Sequence, residues 1–166
     1  MHLFYKQTLN LLDTELDRIQ KALERLPEEL VWKKVRGSTN SIGNLCLHLA
    51  GNEYQNVVSG IGQKPFIRER SEEFLAERSS CSAELLEKLT QVREQTREQL
   101  QRLSEDDFQR EVHIIYPPGA GIESYTKTIM EILYHTTSHY SYHTGQIVYM
   151  TRILQEGDER LLKWNH

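Results

Sequence analysis

Hydrophobic positions recur at helical spacing along most of the chain. In the first part of the sequence they follow one another at intervals of three or four residues, at Leu9, Leu12, Leu16, Ile19, Leu23 and Leu26. This spacing is typical of a helix that packs nearly parallel to its neighbours, and Pro27 ends it. The apolar positions Ile42, Leu45 and Leu49 predict a second helix, since residues 38–41 before them carry side chains suited to capping.

Two further helices follow from the same pattern. The third is predicted from apolar positions on an otherwise charged segment, at Leu85, Leu89, Val92, Thr96, Leu100 and Leu103. We expect its polar face to be solvated. The fourth is predicted from Ser124 onward, with Gly157 after its end, and its apolar stripe contains Ile129, Leu133, Thr136, Tyr140, Ile147, Met150 and Leu154.

The connections between these helices differ in length and composition. Residues 59–81 mix turn formers with many charges, which indicates a long connection with one short helical turn. Residues 112–124 begin with a β-branched run followed by Pro117, Pro118 and Gly119, so an extended segment and a pocket-shaping turn are expected. Four long helices with long second and third connections predict an all-α four-helix bundle, in one domain covering residues 1–166.

Composition narrows the range of partners. The chain is 38% hydrophobic and 27% charged with a net charge of -4, so no basic excess attracts nucleic acid or a membrane surface. The N-terminal residues lack the features of a leader peptide, and no apolar run has the length of a membrane span, so we expect a cytoplasmic protein. Cys46 and Cys81 are too few for a disulfide scaffold, and we expect Cys46 to pack in the interior.

Three histidines in the fourth helix lie at intervals of four residues. Because each such step moves about 40° around the helix, His143 falls within the apolar stripe, His139 at its margin and His135 toward the flank. The pair of His139 and His143 places two imidazoles one turn apart, close enough to bind one divalent ion. The same spacing also arises by chance in helices whose histidines only pack.

A third ligand would have to come from another helix, since two histidines rarely hold a metal alone. The best candidate is His48, at the margin of the apolar face of the second helix. The alternative for His48 is a hydrogen-bonded histidine at the edge of the core. His2, His113 and His166 have no partner at helical spacing, and we expect them to face solvent.

Three segments carry a resemblance to a known family. "WKKVRGSTNSIGNLCLHLAGN" (residues 32–52) and "HTTSHYSYHTGQI" (135–147) resemble two signatures of the DinB-like superfamily, and "FIRERSEEF" (66–74) resembles a poorly characterised branch of it. The resemblance implies a four-helix, usually homodimeric fold in which His48, His139 and His143 hold one divalent ion. Better characterised relatives include bacillithiol transferases and a mycothiol-dependent isomerase, which implies a low-molecular-weight thiol as a candidate cofactor.

These residues predict a metal-dependent enzyme. Three imidazoles leave a coordination position open on a zinc or nickel ion, which would activate a thiol or water for transfer to, or hydrolysis of, a small-molecule substrate. Asn52 and Gln146 are candidates for contacting the ligand or orienting an imidazole, with ordinary capping or packing as the alternative. The rival hypothesis is a non-catalytic metal-binding stress or interaction protein, which a fourth ligand from His135, Glu53 or Glu131 would favour. A third hypothesis is an inert helical dimer whose histidines only pack.

Overall fold

A computed structural model describes residues 1–116 and 121–162 of the chain. Its helices are α1 (Leu3–Arg25), α2 (Glu28–Val31), α3 (Ile42–Glu53), α4 (Arg70–Leu75), α5 (Ser82–Gln101) and α6 (Ile129–Leu154). The π-helix Tyr54–Ile61 extends α3, a 3₁₀ turn covers Glu105–Asp107, and two strands form β1 (Glu111–Ile114) and β2 (Tyr125–Thr128). The long helices α1, α3, α5 and α6 pack together, which confirms the predicted all-α bundle. Across the described ranges, none of the helices combines the length and apolarity needed to span a membrane.

Side-chain caps fix the starts of the first two long helices. Ser41 precedes α3, where its Oγ accepts from the backbone N–H of Asn44 at 3.1 Å, and the Asn44 side chain accepts from the Ser41 N–H at 3.0 Å. The predicted start of this helix is confirmed. The expectation for His2 is wrong: it is half-buried, and its Nδ1 accepts from the backbone N–H of Phe4 at 3.2 Å. The helix begins before the first apolar repeat at Leu9, so His2 serves as its cap.

The last helix starts later than its sequence pattern predicts. It begins at Ile129 and not at Ser124, because Tyr125–Thr128 pairs with Glu111–Ile114 as an antiparallel strand. Thr128 then caps α6, and the side chain of Glu131 accepts from the Thr128 N–H at 2.8 Å. The β-branched residues before α6 therefore belong to a hairpin that extends the end of the bundle.

The hairpin contains the extended segment that the sequence predicts. Val112 and Ile114 of β1 point inward and are buried, whereas His113 between them is exposed, as expected. The predicted turn at residues 117–119 lies outside the described residues, and so does His166.

One part of the polar face of α5 is not solvated. Arg93 is 1% exposed, and its guanidinium donates to both carboxylate oxygens of Glu53, at 2.9 and 3.1 Å. Burial alone would lower the pKa of Arg93, but the charge and hydrogen bonds of Glu53 raise it, so the guanidinium stays charged. The guanidinium also lies 5.0 Å from the ring of Tyr140, which is buried, as its place in the predicted apolar stripe requires. At this one position an ion pair between α3 and α5 replaces solvent, and most other charged side chains of α5 are exposed as expected.

Two apolar clusters hold the elements together. The larger lies between the long helices and includes Leu12, Leu45, Leu49, Leu89 and Ile147. The smaller lies between the start of α1, the π-helix, the hairpin and the start of α6, and includes Tyr5, Leu9, Val57, Ile114 and Ile132. Cys46 packs in the larger cluster as predicted, and burial raises the pKa of its thiol to about 12. These clusters fix α3 beside α6, where the candidate ligands lie.

Candidate metal centre

The three predicted histidines meet between α3 and α6. Each of His48, His139 and His143 offers a ring nitrogen that lies within 4.8 Å of the other two. The Nε2 atoms of His48 and His139 are 3.1 Å apart, and the ring centroids of His139 and His143 are 4.5 Å apart. Two imidazole nitrogens on one tetrahedral zinc ion would be about 3.3 Å apart, given zinc–nitrogen bonds of about 2.0–2.1 Å. The donor set and its spacing therefore fit a divalent ion.

The fourth-ligand candidates from the sequence lie elsewhere. His135 is exposed on the flank of α6, and its ring stacks on that of His139 at a centroid distance of 5.9 Å. Glu53 is paired with Arg93, and Glu131 caps the start of α6. Within residues 1–116 and 121–162, the group of possible ligands around the cluster contains only the three histidines.

Glu73 of α4 fixes the orientation of His48. The Nδ1 of His48 lies 2.9 Å from Glu73 Oε2, and a carboxylate can only accept, so Nδ1 carries the proton. The lone pair of His48 is then on Nε2, which faces His139. A carboxylate that accepts from the second nitrogen of an imidazole raises its basicity as a metal ligand.

Arg68 holds the Glu73 carboxylate in place. Its Nε donates to Oε1 at 2.6 Å and its Nη2 to Oε2 at 2.7 Å, in a bidentate pair. The same Nη2 lies 3.1 Å from His48 Nδ1, but both nitrogens are donors to Oε2, so we describe this as a close approach and not as a hydrogen bond. Arg68 also donates to Gln55 of the π-helix at 2.6 Å, and Gln55 donates to the backbone carbonyl of Ile115. This network links the histidine cluster to the hairpin.

Gln146 orients the second histidine of α6. The Nδ1 of His143 lies 2.8 Å from Gln146 Oε1, and an amide oxygen can only accept, so Nδ1 donates and Nε2 keeps its lone pair. This is the contact expected of a residue that orients an imidazole from outside the ligand shell.

His139 and Asn52 each keep a buried polar atom without a partner in the described part of the chain. The unpaired atom of His139 is Nδ1, and that of Asn52 is its side-chain oxygen. The side chain of Asn52 makes no hydrogen bond to a histidine within that part of the chain. It lines a cavity beside the cluster instead. The role of Asn52 in contacting a ligand therefore stays a prediction.

That cavity has a volume of about 270 Å³ and opens next to the cluster. It is lined by His48, Asn52, Arg68, Arg70, Tyr116, Ile122, Tyr125, Lys127, His135 and His139. A larger cavity of about 530 Å³ lies on the other side of the Arg68–Glu73 pair, between α3 and α5, and none of the histidines lines it. The smaller cavity is therefore the one that a reactant at the cluster would occupy.

The surroundings of the cluster keep two of its imidazoles neutral. Burial, followed by the neighbouring histidines His143 and His48, lowers the pKa of His139 from 6.5 to about 3. Burial also lowers the pKa of His143, although its hydrogen bond to Gln146 acts in the opposite direction. Both rings therefore present lone pairs at neutral pH, as metal ligands must.

The metal-free protein is expected to lose stability as the pH falls below 6.5. The unfolded chain binds a proton at residue 139 near pH 6.5, whereas folded His139 accepts one only near pH 3. The unfolded state therefore binds more protons between these values, so acid favours unfolding. Denaturant unfolding between pH 7.5 and 5 should show that the free energy of unfolding depends less steeply on pH in His139→Gln than in the wild type. His113→Gln, on the exposed hairpin face, should keep the wild-type slope; equal slopes for all three proteins would contradict the prediction.

Sequence reasoning missed Arg68 and Glu73. They lie in the "FIRERSEEF" segment, which supported only a resemblance, and the spacing between them has no helical meaning because α4 begins at Arg70. A signal was nevertheless present: both charges lie between Phe66 and Phe74, and Phe74 packs on the His48 ring at a centroid distance of 4.8 Å.

The fold and the histidine cluster together define a DinB-like helical bundle with a candidate metal-binding site. The chain matches the family described as "Protein of unknown function (DUF1572)" over residues 2–165, and it belongs to that family. It is also similar to the crystal structure of a DinB-like protein from Bacillus cereus, with a TM-score of 0.67 and 17% identity over 89% of this chain and 91% of that chain. At this identity the similarity concerns the fold, and it confirms the predicted DinB-like architecture. A search of curated proteins finds no match.

Proposed function

We propose that this protein is a metal-dependent enzyme in which His48, His139 and His143 hold one divalent ion, zinc or nickel, beside a substrate cavity. The reaction is either the transfer of a thiol to a small molecule or the hydrolysis of a small molecule. When bound, the ion supplies Lewis acidity that lowers the pKa of a thiol or water. The observation that carries the proposal is the three-nitrogen cluster at the wall of a cavity, with no fourth protein ligand among the described residues.

The residues around the cluster have separate roles in this proposal. Glu73 and Gln146 accept the Nδ1 protons of His48 and His143, which leaves the lone pair of each ring on Nε2. Asn52 lines the cavity one helical turn beyond His48 and is the proposed contact for a reactant there. Imidazole ligands favour zinc or nickel over magnesium or calcium.

The proposed reaction is tested with protein purified without an affinity tag and loaded with zinc or nickel. Thiol transfer is measured with low-molecular-weight thiols and an electrophilic bimane, and hydrolysis with chromogenic esters and amides. We expect turnover that requires the ion and disappears in His139→Ala. One tightly bound ion per chain with no turnover above the protein-free rate for either class would reject the enzyme in favour of the non-catalytic metal-binding protein.

Glu73→Gln is expected to weaken zinc binding by about 10–100-fold, the usual cost of losing the partner that orients a ligand. The amide cannot replace the bidentate acceptor of Arg68, so His48 loses its fixed tautomer. Glu72→Gln is the matched control, because Glu72 is exposed on the same short helix. Competition with a chromophoric chelator measures both affinities. An unchanged affinity in Glu73→Gln would show that Glu73 does not support the site.

Gly51→Ala, like Glu73→Gln, is expected to weaken zinc binding. A Cβ at this position would overlap the Glu73 carboxylate and approach Arg68 Nε to 3.0 Å, and both groups are already fixed by each other. Gly145→Ala is the control, because nothing lies within 4 Å of its added Cβ. That control should raise the free energy of unfolding by about 0.5–1 kcal/mol through helix propensity and leave zinc affinity unchanged. Equal zinc affinities for the two variants would contradict the prediction.

We also propose that the protein is a homodimer. Along α6, Tyr134, Tyr149 and Ile153 are exposed within about 100° of one another around the helix, and Leu11 of α1 is exposed as well. Sedimentation equilibrium of the wild type and of Tyr149→Glu tests this proposal. A monomeric wild-type protein at micromolar concentration would reject it.

A further inference from the structure

Two cations without carboxylate partners line the cavity beside the histidine cluster. We propose that Arg70 and Lys127 form a subsite for an oxyanion, so that the cavity takes a small molecule with a carboxylate or phosphate group. The subsite rests on the proposed function in one respect only, namely that the other end of this molecule lies at the histidine cluster. At about 270 Å³ the cavity lies just below the range of roughly 300–1,000 Å³ for drug-sized ligands, which indicates a small substrate.

The charges around the cavity favour an anion. Three cationic side chains line it, from Arg68, Arg70 and Lys127, and no aspartate or glutamate is among its lining residues. The charge of Arg68 is neutralised by its bidentate pair with Glu73. Arg70 and Lys127 form no ion pair with any carboxylate of residues 1–116 and 121–162. A concave site lined by one sign of charge concentrates the field and attracts the opposite sign.

The position of Lys127 in the hairpin is unusual for a lysine. In the strand register, Lys127 lies opposite Val112 and Tyr125 lies opposite Ile114, so these four side chains share the inner face. Val112 and Ile114 on this face are buried. The Lys127 ammonium lies 5.1 Å from the centre of the Tyr125 ring and faces the cavity. An inner position that normally holds an apolar residue thus supplies a cation to the site.

Arg70 reaches the same cavity from a different element. It is the first residue of α4, and its guanidinium lies 5.0 Å from the centre of the Phe74 ring, which in turn packs on His48. Stacking on a ring restrains the guanidinium while its donors stay free. A guanidinium and an ammonium from two elements can bind one oxyanion together, through charge-assisted hydrogen bonds.

Asn52 adds a second, independent indication of a ligand. Its side chain is 7% exposed and lines the cavity, and its Oδ1 is buried without a hydrogen-bond partner in the described part of the chain. A buried amide oxygen in this state is costly unless a ligand or water donates to it. Tyr125 does not fill this role, because its hydroxyl donates to Asn56 at 2.7 Å.

Binding of inorganic phosphate and of malonate to the metal-free protein tests the subsite. Calorimetry should show saturable binding that weakens about tenfold in Arg70→Gln and in Lys127→Gln, the loss of one charge-assisted contact. Lys127→Arg should retain binding. Lys33→Gln removes one positive charge from an exposed position that does not line the cavity, and it should bind like the wild type. Tighter binding of phosphate or of malonate identifies which of the two oxyanions the subsite prefers.

The subsite and the metal-dependent function can fail separately. Neither cation belongs to the histidine cluster, so Lys127→Gln should bind zinc like the wild type. If no metal binds but phosphate binding still depends on Arg70 and Lys127, the subsite stands and the proposed function falls. Anion binding that is weakened equally in Lys33→Gln and Lys127→Gln would overturn the subsite. The absence of saturable binding at millimolar anion would do the same. Side-chain ¹⁵N spectra of wild-type protein provide a check that needs no variant: phosphate should shift the Arg70 and Lys127 signals.

Discussion

His139→Ala is expected to lower zinc affinity by more than about a hundredfold. Loss of a residue that only orients a ligand costs about 10–100-fold, and loss of a ligand itself should cost more. His139 faces both other histidines, with its Nε2 3.1 Å from that of His48 and its ring 4.5 Å from that of His143. Titration of metal-stripped protein against a chromophoric chelator, with zinc and with nickel, measures the change.

His135→Ala is the matched control for this prediction. Both substitutions remove an imidazole from α6, one helical turn apart, but His135 is exposed and outside the cluster. Its zinc affinity should equal that of the wild type. A loss as large as that of His139→Ala would mean that the ligands have been misassigned. Circular dichroism of both variants checks that the helical content is unchanged.

Glu53→Leu is expected to lower the free energy of unfolding by about 3 kcal/mol, because it removes the buried carboxylate of the pair and leaves the Arg93 guanidinium only its contact with the partly exposed Asp13, at 3.1 Å. Glu53 is fully buried and receives two hydrogen bonds from Arg93, which is itself 1% exposed. For a chain of 166 residues this corresponds to a fall in Tm of about 10 °C. Denaturant and thermal unfolding of metal-free protein measure both quantities.

Two further variants distinguish the effect of breaking a buried ion pair from the effect of removing any charged residue. Asp17→Asn breaks an exposed ion pair with Lys21 and should change the free energy of unfolding by less than about 1 kcal/mol. The double variant Glu53→Leu, Arg93→Met removes both buried charges and should recover most of the lost stability. A double variant as unstable as Glu53→Leu alone would show that the cost lies in packing and not in the unpaired charge.

The helices and the histidine cluster could be predicted because both depend on local repetition. The apolar spacing in α1, α3, α5 and α6 reports which face of each helix is buried, and the same angular argument separates His139 and His143 from His135. His48 needed a second source, since nothing local relates a residue in α3 to one in α6. The family resemblance supplied that relation, and the structure brings the three side chains together.

Apart from the local cap at His2, the features that sequence reasoning missed depend on contacts between distant segments. Thr128 could equally belong to a strand or precede a helix, and only its pairing with Glu111 decides the start of α6. Arg93 has the same local environment as the solvated charges of α5, and its partner Glu53 lies 40 residues earlier. Glu73 meets His48 across 25 residues, through a connection with no periodic pattern. Such pairs leave no trace in the spacing of either segment.

The short helix α4 has a consequence for the motions of the site. It has six residues, too few to be stable alone, so its helical state depends on contacts with the bundle. Its amide hydrogens should therefore exchange with deuterium through a local opening that is cheaper than global unfolding. Each such opening withdraws Glu73 from His48, so the segment that supports the ligand can detach without unfolding of the bundle. Exchange at residues 70–75 would report the occupancy of the histidine cluster from outside it, slowing when an ion is bound.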